Sequence, residues 1–385
     1  MIAAIDRVLE QACARIPGVV AAATTETETL YEGAFGRRDL TADAPMTMDT
    51  VFWLASMTKA LVSAGAMQHV EAGRLALDAP IGDTLPALAG AQLLDGFSES
   101  GAPVLRAPSR PVTLRHLLSH SAGYGYDTWN EEIARYMKAT GLPRAPNDWA
   151  QAARMPLLFE PGTRWNYGIN TDFVGKAVEA ASGKRLDEAL AEQLFAPLGM
   201  TDTTVSLTAA QRARMARVHG RAADGSLAPI EWPVGNGPGF CMGGGSFCGT
   251  ASDYLRFLRM LLNQGTHEGQ RLLWPRTVAE MGRNQIGAAH VVPMRSSQPA
   301  RSTNFEAFPG MAKKWGLGFL LTTEDVPGGR RAGSMAWAGL GNTYFWVDPT
   351  RRVAGVVMMQ VLPFGDAACL DTLAEFERAV YAAIG

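Results

Sequence analysis

Val51-Phe52-Trp53-Leu54-Ala55-Ser56-Met57-Thr58-Lys59-Ala60-Leu61-Val62-Ser63-Ala64-Gly65-Ala66-Met67 is an apolar run that carries a single lysine. Its aromatic and β-branched entry reads as a strand end. The remainder reads as a helix to about Ala72, where Gly73 is placed to stop it. On a helix Ser56 and Lys59 lie three positions apart, on one face and one turn from each other, so the lysine nitrogen can reach the serine oxygen. Lysine is a specific choice here, because the chain has 35 basic residues and meets nearly all of that need with arginine. A buried nucleophile beside a possible base is the feature the rest of the sequence must explain.

Outward from this run, residues 1–17 form an amphipathic helix with Ile2, Ile5, Leu9 and Cys13 on its apolar side. Residues 18–24 and 29–36 read as an antiparallel hairpin. From about 80 to 240 strand-like alternation nearly vanishes, and helices such as Asp172–Ala181 and Leu186–Leu194 alternate with Pro- and Gly-marked loops. Beyond that, Ser252 is a good N-cap for a helix from Asp253 to about Leu262. Residues 315–321, 335–339, 343–347 and 353–359 read as strands, and a helix from Ala367 to Ile384 closes the chain. The expectation is an α+β protein: residues 1–80 and 241–385 build an antiparallel sheet flanked by helices, and residues 81–240 form an inserted, mainly helical domain. The active site falls between them.

Bulk composition narrows the function. A hydrophobic fraction of 47% with 19% charged residues fits a large packed core. A formal net charge of −2 argues against a nucleic-acid partner. No apolar run approaches the roughly 20 residues that span a bilayer, and residues 1–17 lack the apolar core of a signal peptide. A soluble, cytoplasmic protein with no membrane partner is expected. Cys13, Cys241, Cys248 and Cys369 show no metal-type spacing and read as free thiols. His116 and His120 have the i, i+4 spacing of a metal pair, but Leu117 stands where a metalloprotease needs Glu, so structural roles are expected for both. No metal or other cofactor is called for. The Gly243-Gly244-Gly245 run lacks the Gly-Lys-Ser/Thr of a phosphate loop and reads as tight backbone passage near the pocket.

A second chemical candidate is Tyr167, between a turn and a helix start in Trp165-Asn166-Tyr167-Gly168-Ile169-Asn170-Thr171-Asp172. If it and Lys59 both face Ser56, either could take the serine proton, and the sequence leaves that choice open. Ser56-Met57-Thr58-Lys59, then Tyr167, then Trp337-Ala338-Gly339 in a late strand resembles the serine β-lactamase and penicillin-binding protein superfamily, and most of all its family VIII carboxylesterases. The stretches 116–123, 159–163 and 197–203 extend the resemblance over nearly the whole chain.

The resemblance implies a β-lactamase/transpeptidase-like fold and a set of roles. Ser56 would be acylated, with Lys59 and Tyr167 handling its proton. The backbone N–H groups of Ser56 and Leu340 would form the oxyanion hole. Trp337, Gly339, Tyr126 and Asn170 would bind substrate, with Trp129 and Trp165 adding to an aromatic mouth. Two departures matter. Ile169 occupies the position of the class C β-lactamase Asn, with Asn170 one residue later. Trp337 and Ala338 replace the Lys-Thr that holds an anionic β-lactam, which turns the site toward neutral esters. The expected function is a serine carboxylesterase acting on small to medium esters through an acyl-Ser56 intermediate, with acyl transfer to alcohols open beside hydrolysis. The alternatives are a β-lactamase or D-Ala-D-Ala-type peptidase, and a non-catalytic penicillin-binding-like module. The oligomeric state is not legible.

Overall fold

The computed structural model describes residues 2–143, 148–234 and 241–385. Its largest sheet has eight strands: β1 (Gly18–Thr24), β2 (Thr29–Asp39), β3 (Ala44–Pro45), β4 (Lys313–Trp315), β5 (Leu320–Thr322), β6 (Met335–Gly339), β7 (Thr343–Asp348) and β8 (Val353–Met358). They run in the spatial order β4-β5-β6-β7-β8-β1-β2-β3, and every pairing is antiparallel. The two ends of the chain therefore meet where β8 pairs with β1, Ala22 opposite Val356. Strands β1, β6, β7 and β8 are buried along their whole length, as expected of a sheet covered on both faces.

Helices α1 (Ile2–Ala12), α2 (Thr58–Glu71), α4 (Ala251–Leu262) and α5 (Ala367–Ile384) frame this sheet, and α3 (Asn170–Ser182) packs on α2. Helix α2 is apolar nearly all round and buried from Thr58 to Met67, the pattern of a central helix. Gly65 lets a neighbour come close, since a Cβ there would lie 2.3 Å from Leu190 Cδ2. Gly73, at φ +68, follows the helix end as expected.

Several local expectations are corrected. Residues 315–321 do not form one strand: β4 and β5 form a hairpin around Gly316 and Gly318, the latter at φ +95. Thr250, not Ser252, caps α4, its hydroxyl accepting from Asp253 N at 3.2 Å. The helix from Leu186 ends at Leu190 and widens into a π turn over Ala191–Phe195. The middle of the chain also contains strands, with Leu93–Phe97 pairing Pro103–Arg106 and His219–Arg221 pairing Leu227–Pro229. These strands are short and lack apolar alternation, so their pairing comes from tertiary context. His219–Arg221 also pairs with Val361–Leu362, tying this stretch to the C-terminal part. The expected boundary at 240 falls at the edge of 235–240, outside the described residues. No described helix is long and apolar enough to cross a membrane. All four cysteines are free, with Cys248 and Cys369 buried.

Candidate active site

The run that opened the sequence folds as a short strand, Phe52–Trp53, then a 3-10 turn, Ala55–Met57, that leads directly into α2. Ser56 thus stands one turn ahead of the α-helix and not inside it. The preceding Ala55 has φ 46, a left-handed conformation that costs a residue with a Cβ of order 1 kcal/mol and is held by its surroundings. Leu54 N donates to Phe247 O at 3.0 Å, and the hydroxyl of Thr343 donates to Leu54 O at 3.4 Å. The strained turn presents Ser56 half-exposed between buried neighbours.

Lys59 is fully buried and donates to three acceptors: Ser56 Oγ at 3.0 Å, Tyr126 Oη at 3.2 Å and the Gly244 carbonyl at 2.7 Å. An ammonium has three protons, so this set satisfies it completely. Behind Gly244 lies Asp172, on the first turn of α3, whose Oδ1 accepts from Gly244 N at 2.7 Å. The backbone of one residue, Gly244, therefore links a buried carboxylate through its N–H to a buried amine through its carbonyl. Burial pushes the Asp172 carboxyl up to about 6, against the opposing pull of Lys59 and the Gly244 N–H. The glycine run does pass tightly here. A Cβ on Gly244 would lie 2.8 Å from Tyr126 Oη, 2.9 Å from Asp172 Oδ1 and 3.2 Å from Lys59 Nζ.

Both tyrosines lie near Ser56, Tyr126 on the wall of one cavity and Tyr167 on that of another, but they meet Lys59 in different ways. Tyr126, expected only to bind substrate, is the phenol hydrogen-bonded to Lys59. Burial, then the charge on Asp172, hold its hydroxyl protonated far above the usual range. Tyr167 instead turns its ring toward the lysine, with Nζ 4.8 Å from the ring centroid in cation–π geometry. Its hydroxyl accepts from Trp337 Nε1 at 3.1 Å and lines a small cavity together with Ser56, Trp337, Gly339 and Leu340. Trp337 is therefore both a wall of that cavity and the orienting donor for Tyr167. Gly339 sets the spacing of strand and nucleophile, since a Cβ there would lie 2.3 Å from Leu54 O.

Asn170 is a correction. It was expected at the substrate, but it is fully buried and its Nδ2 donates to His120 Nδ1 at 2.9 Å. It begins α3 one residue beyond the loop that faces the cavity, and its amide turns inward. Burial, then Lys59, depress His120 well below its usual range, so the imidazole is neutral. His116 is used at the start of its own helix, where Nδ1 accepts from Thr113 N at 3.2 Å. Trp165, expected at the mouth, is buried and stacks behind Tyr167 at 6.3 Å.

Ser56 also borders a larger cavity of about 440 Å³. Its wall includes Trp53, Tyr126, Trp129, Met155, Trp232 and Leu340, which makes it chiefly apolar with few polar points, the usual character of a small-molecule site. Sequence reasoning missed Asp172, Trp53 and Trp232. A carboxylate entering an apolar helix was a usable signal for Asp172. Trp53 and Trp232, whose rings lie 5.7 Å apart, meet only through the fold.

Comparison with known proteins agrees with this architecture. The Beta-lactamase family matches residues 5–379. Monacolin J acid methylbutanoyltransferase of Aspergillus terreus (strain NIH 2624 / FGSC A1156) is 34% identical over 387 residues, covering 96% of this chain and 92% of that protein. Lovastatin esterase of Penicillium rubens is 31% identical over 382 residues, covering 95% and 94%. Unliganded simvastatin synthase (LovD) from Aspergillus terreus, a selenomethionyl derivative, superposes with a TM-score of 0.85 at 29% identity, covering 98% of this chain and 97% of that one. Acyltransferases and an esterase thus share this fold over its full extent, and the chain belongs to the Beta-lactamase family, with the serine β-lactamase-like fold that its sequence resembles.

Proposed function

We propose that the protein is a serine carboxylesterase that takes the acyl group of a small or medium ester onto Ser56 and passes it to water or to an alcohol. The observation that carries this reading is Ser56 Oγ, 3.0 Å from Lys59 Nζ, opening on a chiefly apolar cavity. Ser56 Oγ attacks the ester carbonyl as its proton moves to Lys59, the base in direct contact with it among the described residues. Lys59 acts in its neutral amine form, with Tyr126 Oη and the Gly244 carbonyl as acceptors for its own protons. The Tyr126 phenol, held protonated, serves as a fixed partner of the amine and not as the base. The backbone N–H groups of Ser56 and Leu340 receive the developing oxyanion, each such donor contributing about 3–4 kcal/mol. Lys59, with Tyr167 beside it, returns the proton to the leaving alkoxide. The same pair then activates the second nucleophile in the reverse sense.

Acyl transfer is part of the reading because relatives that match nearly the whole chain are named for transfer of a methylbutanoyl group and for hydrolysis of lovastatin. An apolar cavity also favours an organic alcohol over water at the acyl-enzyme. The β-lactamase alternative is weaker, since Trp337 and Ala338 offer no cation to a β-lactam carboxylate.

Intact-mass spectrometry after treatment with an alkyl fluorophosphonate tests the centre. One adduct is expected, on the peptide holding Ser56, and none on Ser56→Ala. An adduct of equal yield on Ser56→Ala refutes the assignment. In aqueous butanol, butyl ester beside free acid is expected from a p-nitrophenyl ester, and acid alone removes acyl transfer.

A further inference from the structure

The larger cavity contains a charge that ester chemistry at Ser56 does not use. Among the described residues lining it, Arg301 is the one cation and Asp127 the one carboxylate. Asp127 is buried, and its Oδ2 accepts from Gln298 Nε2 at 2.9 Å. Arg301 is half-buried, and among the described residues its guanidinium has no carboxylate and no hydrogen-bond acceptor. It lies 5.3 Å from the centroid of the Trp232 ring, and Trp232 packs on Trp53, three residues ahead of Ser56. A guanidinium, two tryptophans and the nucleophile thus follow one another along one wall.

The backbone that carries this arginine is well anchored. Arg301 O accepts from Phe364 N at 2.9 Å. The adjacent Ser302 Oγ accepts at 3.0 Å from Nε1 of Trp129, a residue of the cavity wall. A side chain set on a fixed backbone and backed by an indole loses less freedom on binding than one on an open loop. A half-desolvated guanidinium left without an anion is costly, and a carboxylate meets its planar donors two at a time.

We propose that Arg301 is a carboxylate-recognition point, and that the preferred substrate or acyl acceptor carries a carboxylate remote from the reacting ester. This rests on the esterase reading above and refines it. Trp337 and Ala338 supply no cation, whereas Arg301 brings one to the larger cavity that Ser56 also lines, so the site selects esters whose carboxylate reaches into that cavity. The carboxylate can belong to the acyl part or to the alcohol part, and paired substrates separate the two.

The experiment compares kcat/KM for mono-p-nitrophenyl adipate against its methyl ester, and for 4-(butanoyloxy)benzoate against its methyl ester. Wild type, Arg301→Gln and Arg301→Lys are measured, with Ser56→Ala as the control for the nucleophile. In one of the two pairs the anionic-to-neutral ratio is expected to fall by about tenfold in Arg301→Gln, chiefly through KM, and to recover in part in Arg301→Lys. The pair that responds identifies the side bearing the carboxylate. Equal ratios in wild type and Arg301→Gln for both pairs, with turnover lost in Ser56→Ala, overturn the carboxylate assignment and leave the esterase reading standing. Turnover that survives in Ser56→Ala overturns both.

Discussion

Lys59→Met is expected to lower kcat/KM for a p-nitrophenyl ester by about 10³-fold, with KM little changed. The exchange keeps the length and volume of a fully buried side chain, so the cavity and the Ala55–Met57 turn retain their packing. What disappears is, among the described residues, the only base within hydrogen-bond distance of Ser56 Oγ, together with the donor that ties Tyr126 to Gly244. The protein should still fold, because the energy lost with three hydrogen bonds is offset by no longer burying an ammonium. The same change removes the positive charge that opposes burial at Asp172, so that carboxyl rises further above about 6. Steady-state kinetics beside a thermal melt checks the prediction. A loss below tenfold in a normally folded variant would move the base elsewhere, with Tyr167 the next candidate.

Asp172→Asn should make the protein more stable and less active. The carboxyl titrates at about 6 in the folded chain against an ordinary 3.8, so the folded state binds more protons than the unfolded state between those values. The sign is the reverse of a salt-bridged aspartate. Above pH 6 the buried charge costs about 3 kcal/mol, and the cost disappears as pH falls from 6 toward 4. The near-isosteric amide keeps an acceptor for Gly244 N and carries no charge. Urea denaturation should therefore show the variant more stable at pH 8 by about 1–3 kcal/mol, and the advantage should vanish near pH 4. A difference independent of pH would show that Asp172 is not a buried charge. Activity should fall about tenfold, because the ammonium formed when Ser56 gives up its proton loses its counter-charge.

What was legible in the sequence follows the range of the interactions involved. Ser56 and Lys59 are three residues apart, so local chain geometry, a 3-10 turn running straight into α2, brings them together, and the structure places their polar atoms 3.0 Å apart. Strand β6 and helix α5 have the bounds their apolar patterns suggested, because local propensity and burial agree there. The strands at His219–Arg221 and Leu93–Phe97 were missed because only tertiary pairing makes them strands. The resemblance attached Tyr167 to the nucleophile, yet which phenol bonds the lysine depends on a loop 67 positions from Lys59 in sequence. The Gly244 backbone between Asp172 and Lys59 is invisible to any motif, since its carbonyl and N–H do the bonding. Only the glycine run hinted that a chain must pass there without a side chain.

The packing of indoles around Tyr167 gives the molecule an optical property of its own. Trp129, Trp165, Trp315 and Trp337 stand with ring centroids 5.4, 6.3, 6.5 and 4.9 Å from that phenol, four of the nine tryptophans in the chain. Of these, Trp129 and Trp337 border the small cavity that Ser56 also lines. Their emission depends on the polarity of that space. An acyl group seated on the serine displaces solvent beside them, and hydrolysis lets the solvent return. Acylation and deacylation can therefore be timed from intrinsic fluorescence, with any ester and without a chromogenic leaving group.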